Sequence, residues 1–303
     1  MTKKEVLEEF IKKRPAVVGA YGYGSGVFLQ SNYKGKKPQN DLILIVDDLK
    51  KWHLENIAIN KKDYSLIGKI YLTAACKKRI KGLNKITYVS NIKNNGEVFK
   101  YGVIEEKDFI RGLRSWENVF IAGRFHKPTL KFQSNEKLEK AILKDREAAF
   151  LIACLLSPSK TKLRDLYMRL CGLSYYGDTR MAFAENPHKV QNIVCGNFAY
   201  LEQIYSEIGQ KYSFLVRKGD YLLINHEAIL KRIVFLPPSL VHYFMEQQTD
   251  ITNLEEVRKA ILEFFKQKNH EESLYQTVSS VKTNGLVRSV PYALAKVSKR
   301  FKR

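Results

Sequence analysis

GAYGYGSGVFLQ, residues 19–30, followed by NDLILIVDD, residues 40–48, is the stretch on which the reading of the fold turns. Glycine loses more backbone entropy on folding than any other residue, so glycines at 19, 22, 24 and 26 need a reason. A hairpin turn is one reason; a backbone that must approach a phosphate is another. AVVGAYGYGSG reads as a strand running into a glycine-rich turn, and DLILIVDD as a second, apolar strand with acids at both ends. Ahead of them, MTKKEVLEEFIKKRP reads as a short amphipathic helix ending before Pro15. Behind them come a helix over KKWHLENIAIN, a strand over residues 84–92, and a strand and helix within FKYGVIEEKDFIRGLRSWENVFIAGR. Strands alternating with helices over residues 1–130 predict an α/β (α+β) domain.

The pattern then changes. SNEKLEKAILKDREAAFLIACLL carries apolar residues at helical spacing, and Ser157-Pro158-Ser159 separates it from a second helix over TKLRDLYMRLCGL. NFAYLEQIYSEIGQKY reads as a further helix. SFLVRKGDYLLIN reads as a hairpin turning at Gly219-Asp220. Helices with one hairpin over residues 131–272 predict a winged-helix-like domain. From Ser273 to Arg303 there is no Asp or Glu, while seven residues are Lys or Arg. Leu286, Val290, Leu294, Val297 and Phe301 recur at helical spacing, with Lys296 and Arg300 among the cations between them. Residues 273–303 are thus expected to form a basic amphipathic helix that lies on an anionic membrane, docks on the body or serves as a nucleic-acid-binding arm.

The bulk composition narrows the class. The 303 residues are 45% hydrophobic and 12% aromatic, enough for a sizeable core. Lys and Arg outnumber Asp and Glu by 52 to 31, a formal charge of +21 that attracts polyanions. Cys76, Cys154, Cys171 and Cys195 are widely spaced and without a C-x-x-C pair, which argues against a disulfide framework or a metal cluster. No apolar run is long enough to span a bilayer, and the N-terminus does not read as a signal or transit peptide. Bacterial cytoplasm, with the protein peripheral on the inner face of the cell membrane, is the location this favours; the matrix face of the mitochondrial inner membrane is the alternative.

A strand, a Gly-Ser turn and a second strand bearing a carboxylate resemble the site of polymerase-β-type nucleotidyltransferases. Glycine N–H groups can reach phosphate oxygens, and a carboxylate suits Mg²⁺, a hard ion that takes oxygen ligands. Gly24, Ser25, Gly26 and Asp41 fit these roles, whereas a P-loop is absent. The pattern prefers a second acid two residues beyond the first, where Ile43 stands. Asp47 shares the strand face of Asp41 but lies about 20 Å further along, so it can join Asp41 on one ion only if the strand bends. Asp47 and Asp48 otherwise serve as strand-end or helix-capping acids. His53, Asn56 and Asn60 share one helix face, which either lines a cleft or is solvated. Asp178, Arg180 and Lys189 fall in the polar segment 173–194 and suit a second phosphate or a surface ion pair.

The ordered segments GSGVFLQ, DLILIVDD, WHLENIAINKKDYS, KYGVI, IAGRFHKP, LSYYGDTRM and NPHKVQNIV resemble the mitochondrial-type CDP-diacylglycerol synthases, phosphatidate cytidylyltransferases known also for translocator assembly and maintenance. The resemblance runs over nearly the whole chain. It departs at Asp63, where the family usually has His, and at Ala184, where Gly is usual. It implies a nucleotidyltransferase domain, a winged-helix-like domain and a membrane-contacting tail. The activity implied is Mg²⁺-dependent transfer of CMP from CTP to phosphatidate in an anionic membrane, with no nucleic acid as partner. Asp41, Ser25 and Lys189 become the expected catalytic residues, and Gly24, Ser25, Gly26, Arg124, Arg180 and Lys189 the expected ligands of CTP and phosphate. An RNA-terminal nucleotidyltransferase and a non-enzymatic winged-helix nucleic-acid binder are the competing readings.

Overall fold

The computed structural model describes residues 2–28, 38–64, 86–117, 119–178 and 186–274. Helix α1 (Lys3–Lys12) starts on a capping box in which Thr2 Oγ1 accepts from the Glu5 N–H and the Glu5 carboxylate accepts from the Thr2 N–H. It buries Leu7 and Phe10. Strands β1 (Gly19–Tyr23) and β2 (Asn40–Val46) follow, then helix α2 (Leu49–Ile59). The Asp48 side chain caps α2 by accepting from the Lys51 N–H at 2.8 Å, which settles that acid as a helix cap. Strands β3 (Thr87–Asn94) and β4 (Glu97–Glu105) form a hairpin through Asn95 and Gly96.

A single helix was expected after β4; there are two, α3 (Glu106–Ser115) and α4 (Val119–Phe125). Trp116 separates them in a left-handed conformation, φ 55°, which its buried indole makes tolerable by donating to Asp145 at 2.7 Å. Strand β5 (Thr129–Gln133), which has no counterpart in the sequence reading, completes a mixed sheet of order β3-β4-β2-β1-β5. Among the described strands of this sheet, β2 and β4 pair in parallel and the other neighbours pair antiparallel.

Both faces of this sheet are covered, which is why β2 is a nearly unbroken apolar run. Leu42, Leu44 and Val46 pack with Leu7, Phe10, Trp52, Phe99 and Tyr101 beneath α1 and α2. Ile43 and Ile45 face the other way, into a larger core with Phe109, Phe125, Leu138 and Ile142. That core continues through α5 (Glu136–Leu155), α6 (Leu163–Gly172), α7 (Lys189–Gly196) and α8 (Phe198–Gln210), and on to Phe264 and Phe265.

The hairpin expected around Gly219-Asp220 is present as β7 (Leu215–Lys218) and β8 (Tyr221–Ile224). Thr161 and Lys162, expected to open a helix, instead belong to a short strand, β6 (Lys160–Lys162), on the far edge of β8. The hairpin offers its backbone there: the Leu163 N–H donates to Asp220 O and the Ile224 N–H to Ser159 O. Helices α9 (His226–Leu230), α10 (Pro238–Glu246) and α11 (254–274) close the described chain. The expected amphipathic residues from Leu286 to Phe301 lie outside the described residues. No helix among the described residues is long and apolar enough to cross a membrane. Cys154, Cys171 and Cys195 are free thiols.

Candidate active site

The glycine turn and the carboxylate meet. Asp41 pairs with Tyr23 across β1 and β2, so the turn that follows Tyr23 folds back beside the carboxylate. It is a tight turn, with the N–H groups of Val27 and Phe28 both donating to Gly24 O. Gly24 has φ +75°, and a Cβ there would lie 3.1 Å from Asp41 Oδ2. Gly26 packs on the approach to β2, where a Cβ would sit 2.0 Å from Gln39 O. Glycine is therefore required twice: at 24 by conformation, at 26 by backbone contact. Ser25, between them, is partly exposed.

Asp47 does not join this arrangement. Strand β2 keeps continuous pairing with β1 on one side and β4 on the other, so it runs straight from Asp41 to its end at Val46. Asp47 lies beyond that end, exposed, about 20 Å from Asp41. The two carboxylates cannot hold one ion.

Above Asp41 sits a set of aromatic rings and cations. The Arg124 guanidinium, at the end of α4, lies 4.2 Å from the Phe120 ring centroid and 5.4 Å from that of Tyr23. Burial alone would lower its pKa, but Tyr23, Tyr88, Tyr175 and Asp41 offset this and raise it, so Arg124 stays charged. Burial, with Tyr88 and Asp41 adding to it, raises Tyr23 well above the ordinary phenol value. Tyr88 is pushed up to about 12, again chiefly by burial.

Three residues further on, Lys127 is buried and donates to Ser174 Oγ at 2.5 Å. Its Nζ lies 4.7 Å from the Tyr175 ring centroid, and the Lys189 Nζ lies 5.4 Å from the same centroid. Lys127 was absent from the residues expected from the sequence, although it lies inside the IAGRFHKP motif.

The segment carrying Lys127 is tied down from both flanking helices. Arg146 on α5 donates to Phe125 O and Thr129 Oγ1, and Asp145 accepts from the His126 ring at 3.1 Å. From α8, Tyr205 donates to His126 O and Tyr200 to Thr129 O. The segment opposite, residues 173–178, is held by Asn269 on α11, whose Nδ2 donates to Leu173 O and Tyr176 O, both at 2.8 Å. Lys189, in the polar segment 173–194, opens helix α7. Of the three cations expected here, Arg124 and Lys189 converge on one region, whereas Arg180 lies outside the described residues.

The polar face of α2 does not line this cleft, and of its three residues only Asn60 reaches solvent. His53 and Asn56 are buried on the opposite side of the sheet. Asn56 Nδ2 donates to Tyr64 and Tyr101, His53 Nδ1 bonds Tyr64 at 3.0 Å, and Asn60 donates to Asn56. Tyr101 and Arg14 both donate to Asp63, so the acid standing where the family usually has His closes a buried ion pair. Burial pulls the His53 pKa down to about 3.

Asp41 is one carboxylate, and no cluster of three or more His, Cys, Asp or Glu occurs among the described residues. Such a site suits Mg²⁺, which is often held by one or two carboxylates plus substrate phosphates and water. The turn, the single acid and the adjoining cations define a phosphate-handling enzyme of the nucleotidyl-transferring class.

A family model described as mitochondrial phosphatidate cytidylyltransferase matches residues 4–299. The chain belongs to this family. It is 30% identical to the mitochondrial phosphatidate cytidylyltransferase of Schizosaccharomyces pombe, over 92% of this chain and 79% of that protein. It is 30% identical to the rat enzyme of the same name over 93% of this chain and 90% of the relative, and 28% identical to that of Danio rerio with the same coverage. All three relatives are named as mitochondrial, which agrees with the alternative location drawn from the sequence and lends no support to the bacterial one.

Proposed function

We propose that this chain transfers CMP from CTP to phosphatidate, giving CDP-diacylglycerol and pyrophosphate. The observation that carries the reading is the Asp41 carboxylate facing the Gly24–Ser25–Gly26 turn, in a chain matched almost end to end by phosphatidate cytidylyltransferases. Residues 1–130 act as a polymerase-β-type nucleotidyltransferase domain. Residues 131–272 form a winged-helix-like domain around the β6-β8-β7 sheet. Residues 273–303 supply a basic, membrane-contacting segment, and the matrix face of the mitochondrial inner membrane is the location in keeping with the relatives' names.

A phosphate monoester is mostly ionised near neutral pH, with a second pKa of about 6. The acceptor therefore needs little general-base help. One of its oxygens attacks the α-phosphorus of CTP; a P–O bond forms there, the bond to the bridging α–β oxygen breaks, and pyrophosphate leaves with that electron pair. The catalytic task is to bring two polyanions together and to stabilise charge at the α-phosphorus. Gly24, Ser25 and Gly26 orient the triphosphate through backbone N–H groups and the Ser25 hydroxyl. Asp41 would hold Mg²⁺, which when bound neutralises phosphate charge. Arg124, Arg180 and Lys189 neutralise the phosphates of CTP or phosphatidate.

The test supplies α-labelled CTP and Mg²⁺ together with two acceptors, phosphatidate vesicles and RNA 3′ ends. Label in lipid alone is the expected result. Label in RNA alone overturns the lipid reading in favour of RNA-terminal transfer.

A further inference from the structure

Lys127 lies where a buried cation is costly. Its Nζ donates to Ser174 and lies 4.7 Å from the Tyr175 ring centroid, within the electrostatic reach of Arg124 from α4, Lys189 from α7, Cys171 at the end of α6 and Asp178. Two of these neighbours, Arg124 and Lys189, are cations and one, Asp178, is an acid; Asp41 acts on Arg124, and Asp41 and Glu272 on Tyr88. Three basic side chains close together suit a phosphate monoester, which carries about −1.5 to −2 near neutral pH. Among the described residues the Lys127 ammonium spends one N–H on Ser174, leaving two for an incoming oxygen. The Arg124 Nε is buried without a hydrogen-bond partner. A buried cation with like charges beside it needs an anion to offset its repulsion and desolvation.

Arg124 links the two parts of the region: its guanidinium lies 5.4 Å from the ring centroid of Tyr23, the cross-strand partner of Asp41, and it acts electrostatically with both Asp41 and Lys127. A triphosphate held at the glycine turn and Asp41 therefore has Arg124 and, through the shared Tyr175 ring, the two lysines as neighbours. In-line attack needs a second phosphate at such a neighbouring position.

We propose that Lys127, with Arg124, Lys189 and Ser174, clamps the phosphate monoester of the acceptor during transfer. This rests on the cytidylyltransferase reading and adds a substrate-binding residue that the motifs did not single out. The clamp works with the ammonium form. Burial first, then Arg124, brings the free Lys127 down to about 7, with Lys189 pressing the same way while Asp178 and Cys171 oppose. Burial pushes Cys171 itself up to about 12, so it remains a thiol. Free Lys127 thus loses its charge as pH rises through 7, and the arriving dianion draws a proton back from solvent.

The experiment uses the full chain, CTP, Mg²⁺ and a water-soluble short-chain phosphatidate, so that membrane attachment does not enter. Wild type, Lys127→Gln and Lys127→Arg are compared from pH 6 to 9, with CTP affinity measured separately without lipid. For Lys127→Gln, acceptor KM rises at least tenfold while CTP affinity stays within twofold. Wild-type acceptor KM climbs above pH 7, approaching tenfold per unit; in Lys127→Arg, whose charge persists, that climb is absent.

A loss of CTP affinity with unchanged acceptor KM overturns the assignment and gives the cluster to the nucleotide. Unchanged values for both substrates, or the same alkaline climb in Lys127→Arg, overturn it as well. If Lys127→Gln fails to fold, the pH profiles of the other two proteins decide. No lipid-linked CMP from wild type would instead sink the underlying activity.

Discussion

Gly26→Ala probes the turn most directly. An alanine Cβ would sit 2.0 Å from Gln39 O, 2.6 Å from Gln39 C and 2.9 Å from Asn40 Cα, all backbone atoms that no rotamer change can move. Ordinary carbon contacts begin at about 3.5 Å, so the turn and the start of β2 must part by about 1.5 Å. Forcing one extra carbon into such packing costs about 1–3 kcal/mol. Asp41 lies only two residues after Gln39, so the same shift moves the carboxylate relative to Gly24 and Ser25. A misplacement of about 1 Å at a reacting centre lowers rate about 100-fold. The assay is kcat/KM for lipid-linked CMP alongside thermal unfolding, with Gly112→Ala as control. Gly112 lies within helix α3 with nothing within 4 Å of its would-be Cβ, so alanine there stabilises by about 0.5–1 kcal/mol and leaves activity unchanged. Wild-type kcat/KM and melting temperature in Gly26→Ala would refute the geometry assigned to the turn.

Arg14→Ala removes the guanidinium from a buried pair with Asp63 whose side chains are 4% and 8% exposed, and should cost about 3–5 kcal/mol in urea unfolding. His53 stays neutral in the folded chain down to about pH 3 but titrates near 6.5 when unfolded. Its contribution is complete above pH 6.5 and is lost as pH falls from there toward 3, by up to about 1.4 kcal/mol per unit. Stability measured against pH should therefore be flatter in His53→Asn than in wild type over that window. An identical slope in the two proteins would contradict the burial of the imidazole.

What the sequence discloses follows from how local each signal is. The two opening strands, the Gly24–Gly26 turn and Asp41 could be read because apolar runs and near-alternate glycines are written within 30 residues. The β7–β8 hairpin was legible for the same reason, through Gly219-Asp220. Strand β6 was not: three residues become a strand only because an edge some 60 positions later offers its hydrogen bonds. The break at Trp116 likewise depends on Asp145, which arrives from another helix. His53 and Asn56 read as exposed or cleft-lining because their partners, Tyr64 and Tyr101, come from outside α2. Lys127 is the clearest case. Its place in the IAGRFHKP motif marks the segment but not a role; its hydrogen bond to Ser174 and its nearness to Arg124 and Lys189 in three dimensions supply one.

The measurement that bears most directly on the central claim is the yield of lipid-linked CMP from CTP and phosphatidate vesicles for wild type, Asp41→Ala and Asp47→Ala. Asp41 faces the glycine turn, whereas Asp47 is exposed beyond the far end of the same strand. Product from wild type and Asp47→Ala at similar rates, with none from Asp41→Ala, is the predicted result. Undiminished product from Asp41→Ala would contradict the placement of the reaction at that carboxylate.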